Sequence, residues 1–353
     1  MKFERVVIAG LGYDLPPERL TSDAIEDRLA PVYDRIGLHP GRLELMTGIQ
    51  SRRFWPGEVR PSGVATAAGR QALERGGIEA SRIGALIHAS VCRDFLEPAT
   101  ANVVHDALGL PASAQVFDVS NACLGVLNGM VLVANMIELG QIEAGLVVAG
   151  ENGKPLVDST IAALLADDTV TRKSIKGAFA SLTIGSGAAA VLLARDDVAP
   201  NGHRFLGATV QNATQHHELC RGGAAAEGHA PQDAGVGAGS GLAMNTDAEA
   251  LLHAGIELAT SNYATFSEEV LMSPDRVVTH QVGKAHHLTL FAALGLDTDK
   301  AFTTFESLGN VGSVSVPITL AMAVDDGFVK SGDEVALLGI GSGLSSIMAG
   351  VRW

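Results

Sequence analysis

The sequence predicts a duplicated α/β fold, with helices layered over β-sheet, and three observations carry that prediction. Short β-branched runs alternate with helical patterns along the chain, the rhythm of buried strands covered by helices on both faces. One αβ unit is spelled twice, once in each half. The 353 residues, 47% hydrophobic and including 41 glycines, suit a large buried core, in two similar domains or in one large α/β unit.

In chain order, the strands of the first half are RVVIAGL, ALIHASV, QVFDVS, AGLVVAG and AAAVLLA; those of the second are RVVTHQV, EVALLGIG and SSIMAGV. The repeated unit is ALGLPASAQVFDVSNACLGVLNGMVLVANM, from Ala107, against ALGLDTDKAFTTFESLGNVGSVSVPITLAM, from Ala293. A strand ending in a His or a small polar residue precedes each copy. An apolar strand ending in glycines follows it, LVVAGENG in one and LLGIGSG in the other. The halves divide as 1–195 and 196–353. Inside the second, residues 222–246 are rich in Gly, Ala and polar residues without a period, and read either as a mobile loop covering a site or as a solvated connector.

Composition excludes several classes of function. A net charge of -14 offers no basic face to neutralise phosphates, which argues against general nucleic-acid binding. The N-terminal MKFERVVIAGLGY resembles a first strand more than a secretory signal, and no apolar run approaches the roughly 18 residues of a membrane helix. A soluble cytoplasmic protein is the expectation. Three cysteines without a CxxC pair suggest neither a disulfide framework nor a zinc site, and the His216–His217 and His286–His287 pairs diverge too much to share a metal.

The duplication explains the placement of Cys123. The strand-to-helix turn of the first copy carries Cys123 and the equivalent turn of the second carries Asn310, while His280 ends the strand before it. Two pseudo-symmetric turns facing each other would bring Cys123, His280 and Asn310 together. A helix N-terminus favours negative charge, so the expectation is a thiol with lowered pKa acting as nucleophile. His280 and Asn310 would hydrogen-bond a developing oxyanion. Cys92 and Cys220 read as structural thiols.

DVSNACLG, THQV and GNVGSVSVP, in that order, resemble the Cys, His and Asn motifs of the thiolase superfamily, especially its ketoacyl synthase III-like enzymes, and TGIQSRR and GIGSG are similar to that family as well. The resemblance implies a thiolase-like duplicated αβαβα layered fold, an obligate homodimer, an acyl thioester on Cys123 and Claisen condensation. SVCRDFLEPATA and ELCRG further resemble the branch that joins two acyl-CoA molecules head to head for olefin biosynthesis, which implies downstream olefin-pathway enzymes as partners. There a glutamate of the LEP segment, supplied by the partner subunit, is the base, and the matching residue is Glu97. A non-decarboxylating condensation needs such a base, because it must take a weakly acidic α-proton. The alternative reading of Glu97 is a cap on a helix begun by Pro98. Decarboxylative synthase III activity and acyl transfer in secondary metabolism are the alternative functions.

No permanent cofactor is expected; coenzyme A enters as part of the acyl-CoA substrate. Six arginines between residues 40 and 75, Arg42, Arg52 and Arg53 among them, make a locally basic stretch that would meet its phosphates, with a solvated surface as the alternative. Met46 stands where synthase III enzymes usually carry an arginine, and their adenine-stacking tryptophan is missing. Gly341 and Gly343 would let backbone approach the acyl group or oxyanion.

Overall fold

A computed structural model describes residues 1–224 and 242–353. Nine strands form one mixed sheet: β1 (Val6–Asp14), β2 (Ile83–His88), β3 (Gln115–Asp118), β4 (Ala144–Glu151), β5 (Gly187–Arg195), β6 (His203–Asn212), β7 (Arg276–Thr279), β8 (Glu334–Gly341) and β9 (Ser345–Arg352). Their order is β7-β8-β9-β6-β1-β5-β4-β2-β3. The two halves meet where β1 and β6 pair antiparallel over Val7–Arg204 and Ile8–His203. Outward from that seam, β1-β5-β4-β2 on one side matches β6-β9-β8-β7 on the other, and each series ends on parallel pairs. Even the short β3 has its counterpart, a parallel bridge of Ala301 to Val277 on β7.

Six helices matter for the site: α1 (Pro61–Gly76), α2 (Thr100–Leu108), α3 (Gly125–Glu138), α4 (Ala248–Glu269), α5 (Lys284–Leu294) and α6 (Ser315–Asp325). The repeated unit supplies α3 and α6. Both are apolar almost all round and are buried along most of their length, in one core with strands from both halves. Outer helices cover the other faces. Ala65, Ala68 and Ala72 of α1 pack with β2, β4 and β5 residues, and Phe266 of α4 and Phe291 of α5 pack with β7 and β8. This is the duplicated, layered α/β arrangement expected from the repeat.

The strands read from the sequence are present. A short hairpin of Glu18–Thr21 with Ser51–Phe54 was not anticipated. The expected loop at 222–246 is in part a pair of strands, Cys220–Ala224 with Leu242–Thr246, and the rest of it lies outside the described residues. No helix among the described residues is long and apolar enough to cross a membrane.

Candidate active site

Cys123 sits in a 3-10 turn, Ala122–Leu124, that runs directly into α3. The preceding residue, Ala122, has φ 44°, the only positive φ of a non-glycine residue among those described. A backbone forced into that region marks a turn held by its surroundings. The partner turn, Gly312–Val314 ahead of α6, packs directly against it, as does the end of β8. Gly341 makes the approach of β8 possible, since a Cβ there would lie 3.0 Å from Leu124 and 3.5 Å from the Cys123 nitrogen.

Asn310 lies just ahead of the partner turn, and His280 lies beside β8, whose end packs on the Cys123 turn. His280 follows β7, and its N–H donates to Leu338 O of β8 at 2.9 Å. Its side chain is buried and Nδ1 has no partner. Asn310 is held through its backbone: its N–H donates to Thr183 O at 3.0 Å and its carbonyl accepts from Gly185 N at 2.9 Å. Its side-chain oxygen accepts from Gly312 N at 3.0 Å. With Oδ1 so occupied, the amide Nδ2 is the group left to donate.

Electrostatics correct one expectation. The Cys123 thiol is pushed up to about 12, first by burial and then by the neighbouring Cys220 and Glu151, so the helix start does not make it a resting thiolate. Burial also lowers His280 to about 3, with His286 contributing, which keeps its imidazole neutral. The pair is a neutral thiol and a neutral imidazole. A thiol in this state can act as a nucleophile only by losing its proton as it attacks.

The structure separates the remaining candidates. Glu97 is exposed and does not cap a helix: α2 begins at Thr100, and its first N–H groups, of Thr100 and Ala101, donate to Asp118 at 2.9 Å each. Arg52 is fully buried, which corrects its placement on a basic surface; Nη1 donates to Ser22 at 3.1 Å, and burial lowers its pKa to about 10. The other arginines of that stretch scatter, Arg53 to Pro16 O, Arg70 to Ala107 O and Arg75 to Asp325, and they form no single patch. Arg42 is exposed at the start of the helix Arg42–Thr47. That helix borders an open cavity of about 450 Å³ lined by Glu44, Gly48, Lys284, His287 and Phe305 among others. Lys284 and His287 follow His280 on α5, and Phe305 belongs to the short helix that leads into Asn310. Gly343 has φ 142° in the turn between β8 and β9. Among the described residues no group of His, Cys, Asp and Glu could hold a metal ion.

Sequence reasoning missed Glu151. It ends β4, is buried, and accepts hydrogen bonds from Val91, Cys92 and Ser313. The only signal in the sequence was an acid closing an otherwise apolar strand.

Comparison with known proteins agrees with this geometry. The thiolase N-terminal domain matches residues 45–155, 3-oxoacyl-[acyl-carrier-protein] synthase III matches 117–213, and the C-terminal domain of that synthase matches 271–353. An acyl-CoA:acyl-CoA alkyltransferase of Shewanella oneidensis is 41% identical over 359 residues, covering 100% of both chains. A namesake in Xanthomonas campestris pv. campestris is 39% identical, again over 100% of both. A cysteine-to-serine variant of Xanthomonas campestris OleA, solved with lauric acid and lauroyl-CoA, superposes with a TM-score of 0.90 at 38% identity, covering 99% of this chain and 100% of that one. The chain belongs to the ketoacyl synthase III-like family of the thiolase superfamily, in its OleA branch. It is an OleA-like acyltransferase that condenses acyl-CoA.

Proposed function

We propose that the chain carries out a non-decarboxylating Claisen condensation of two acyl-CoA thioesters through an acyl-Cys123 intermediate, giving a β-ketoacyl-CoA. The observation that carries this reading is the packing of the Cys123 turn against the turn that follows Asn310 and against the end of β8, the strand that holds the backbone of His280, whose Nδ1 has no hydrogen-bond partner among the described residues. Cys123 Sγ attacks the first thioester carbonyl, the carbon–sulfur bond to coenzyme A breaks, and the thiol proton leaves with the CoA sulfur. The second acyl-CoA then loses an α-proton to a carboxylate. His280 and Asn310 donate to the enolate oxygen, and the enolate carbon attacks the acyl-Cys123 carbonyl. Cys123 departs and recovers a proton from the carboxylic acid.

Glu97 of the partner subunit is the carboxylate in this reading, so the working unit is a homodimer. The exposure of Glu97 in the single chain supports that assignment. Coenzyme A enters through the cavity beside the helix Arg42–Thr47, with Arg42 as a phosphate contact and Gly341 and Gly343 beside the acyl group. The product passes to further enzymes of olefin biosynthesis. Intact-mass measurement after incubation with acyl-CoA tests the reading: Cys123→Ala should lose both the acyl adduct and turnover, whereas Cys92→Ala and Cys220→Ala keep them. An adduct that survives Cys123→Ala sinks the mechanism, and product formed only from malonyl thioesters assigns the decarboxylative reaction instead.

A further inference from the structure

Glu151 joins the root of the Glu97 segment to the turn that follows Asn310, two segments from opposite halves of the chain. With 4% of its surface exposed, its carboxylate accepts from the N–H of Val91 at 2.9 Å, the N–H of Cys92 at 3.1 Å, the N–H of Ser313 at 3.3 Å and the Ser313 hydroxyl at 2.5 Å. Val91 and Cys92 begin the segment that runs to Glu97. Ser313 belongs to the turn that follows Asn310.

The contact continues to the Asn310 amide. Gly312, at φ 61°, lies against the carboxyl group, where a Cβ would stand 3.3 Å from it. The N–H of Gly312 is the donor that occupies Asn310 Oδ1. A shift of the Gly312–Val314 turn would release that oxygen and let the amide rotate. Burial pushes the Glu151 carboxyl upward, and the hydrogen bonds from Ser313, Val91 and Cys92 oppose the shift by favouring the ionised form.

We infer that Glu151 is a positioning residue for the condensation step, one that fixes the Asn310 amide beside Cys123 of its own chain and the root of the Glu97 segment that serves the neighbouring subunit, without touching substrate. The inference rests on the condensation proposed above. A carboxylate that merely stabilised the fold would, when removed, weaken acylation and condensation alike. A positioning carboxylate affects them unequally, because Asn310 and Glu97 serve the second step.

The test measures two rates in each variant: single-turnover acylation of Cys123 by acyl-CoA, and steady-state formation of β-ketoacyl product. In Glu151→Gln one N–H donor faces an amide NH₂, so the ratio of condensation to acylation should fall on the order of tenfold or more, in kcat more than in KM. Ser313→Ala removes one donor and keeps the anchor to Val91 and Cys92; its ratio should fall by a smaller factor, and it decides the matter if Glu151→Gln does not fold. An unchanged ratio, or an equal fall in both rates, would overturn the role of Glu151 while leaving the condensation intact. A parent protein that forms no acyl-enzyme would overturn the proposed function itself.

Discussion

His88 ends, and His280 directly follows, the equivalent strands that precede the two copies of the repeated unit, and both are buried, at 0% and 3% exposure. Their surroundings differ. His88 Nε2 lies 3.0 Å from the Ser90 hydroxyl, which accepts from Gly150 N at 2.7 Å, and its Nδ1 is 3.8 Å from Asp118, the residue that caps α2. Among the described residues the His280 ring makes no such bond and only its backbone N–H is held, by Leu338; Nδ1 is without a hydrogen bond in both histidines. Duplication therefore places an imidazole at both strand ends, and the neighbours divide the labour. A ring bonded to Ser90 fits a scaffold role, whereas a ring without such a bond keeps capacity to offer a substrate.

Exchanging each histidine for alanine should separate the two roles most widely. His280→Ala should lower condensation on the order of a hundredfold or more, as expected for an oxyanion donor, while its melting temperature stays close to that of the parent. His88→Ala should do the reverse. It leaves the Ser90 hydroxyl short of a partner and opens a small cavity, costing roughly 2–4 kcal/mol of stability, with the folded fraction still active. Product assays beside thermal melts decide between them, and a His280→Ala enzyme with normal turnover would erase the distinction.

Acid sharpens the comparison with a smaller effect. Burial lowers both rings, His88 to about 4 against the opposing pull of Asp118 and His280 to about 3. In the unfolded chain each titrates near 6.5. Because the folded values are the lower ones, the unfolded state binds more protons below pH ~6.5, so stability is full above that pH and falls as pH drops toward the folded values. Each buried histidine contributes up to about 1.4 kcal/mol per pH unit in that window. Denaturant titrations at pH 7, 6 and 5 should show His280→Asn losing stability less steeply than the parent. Parallel slopes would mean that His280 is not held neutral by burial.

The sequence made some features of this site legible and hid others for physical reasons. The strand runs and the repeat located the turns of Cys123 and Asn310, because periodicity and self-similarity are local signals. The Cys123 thiol was expected to shift downward from its place at a helix start, yet burial outweighs that influence, and burial is set by residues far along the chain. Arg52 looked like its neighbours Arg42 and Arg53 but points into the core. Glu151 was invisible, since its partners Val91 and Ser313 lie 60 and 162 positions away. The helix cap came from Asp118 rather than from Glu97, for the same reason of distance in sequence.

The smallest expected effect concerns the backbone just before each functional residue. Ala122 precedes Cys123 with φ 44°, and Gly309 precedes Asn310 with φ 69° and ψ -158°. Both turns need a positive φ, but the second has no room for a side chain, because a Cβ at Gly309 would stand 2.4 Å from Thr183 O. Ala122 already carries its Cβ and bears a conformational cost of about 1–2 kcal/mol. Ala122→Gly removes that cost, and the greater freedom of glycine in the unfolded chain returns roughly 0.5–1 kcal/mol of it. The net change should stay within about 1 kcal/mol, and the acylation rate should change by no more than a few-fold. Thermal melts and single-turnover acylation would both detect a larger effect. A steep fall in acylation at unchanged stability would show that the Ala122 side chain itself holds Cys123 in its attacking position, a function for which the Asn310 turn, with glycine there, has no counterpart.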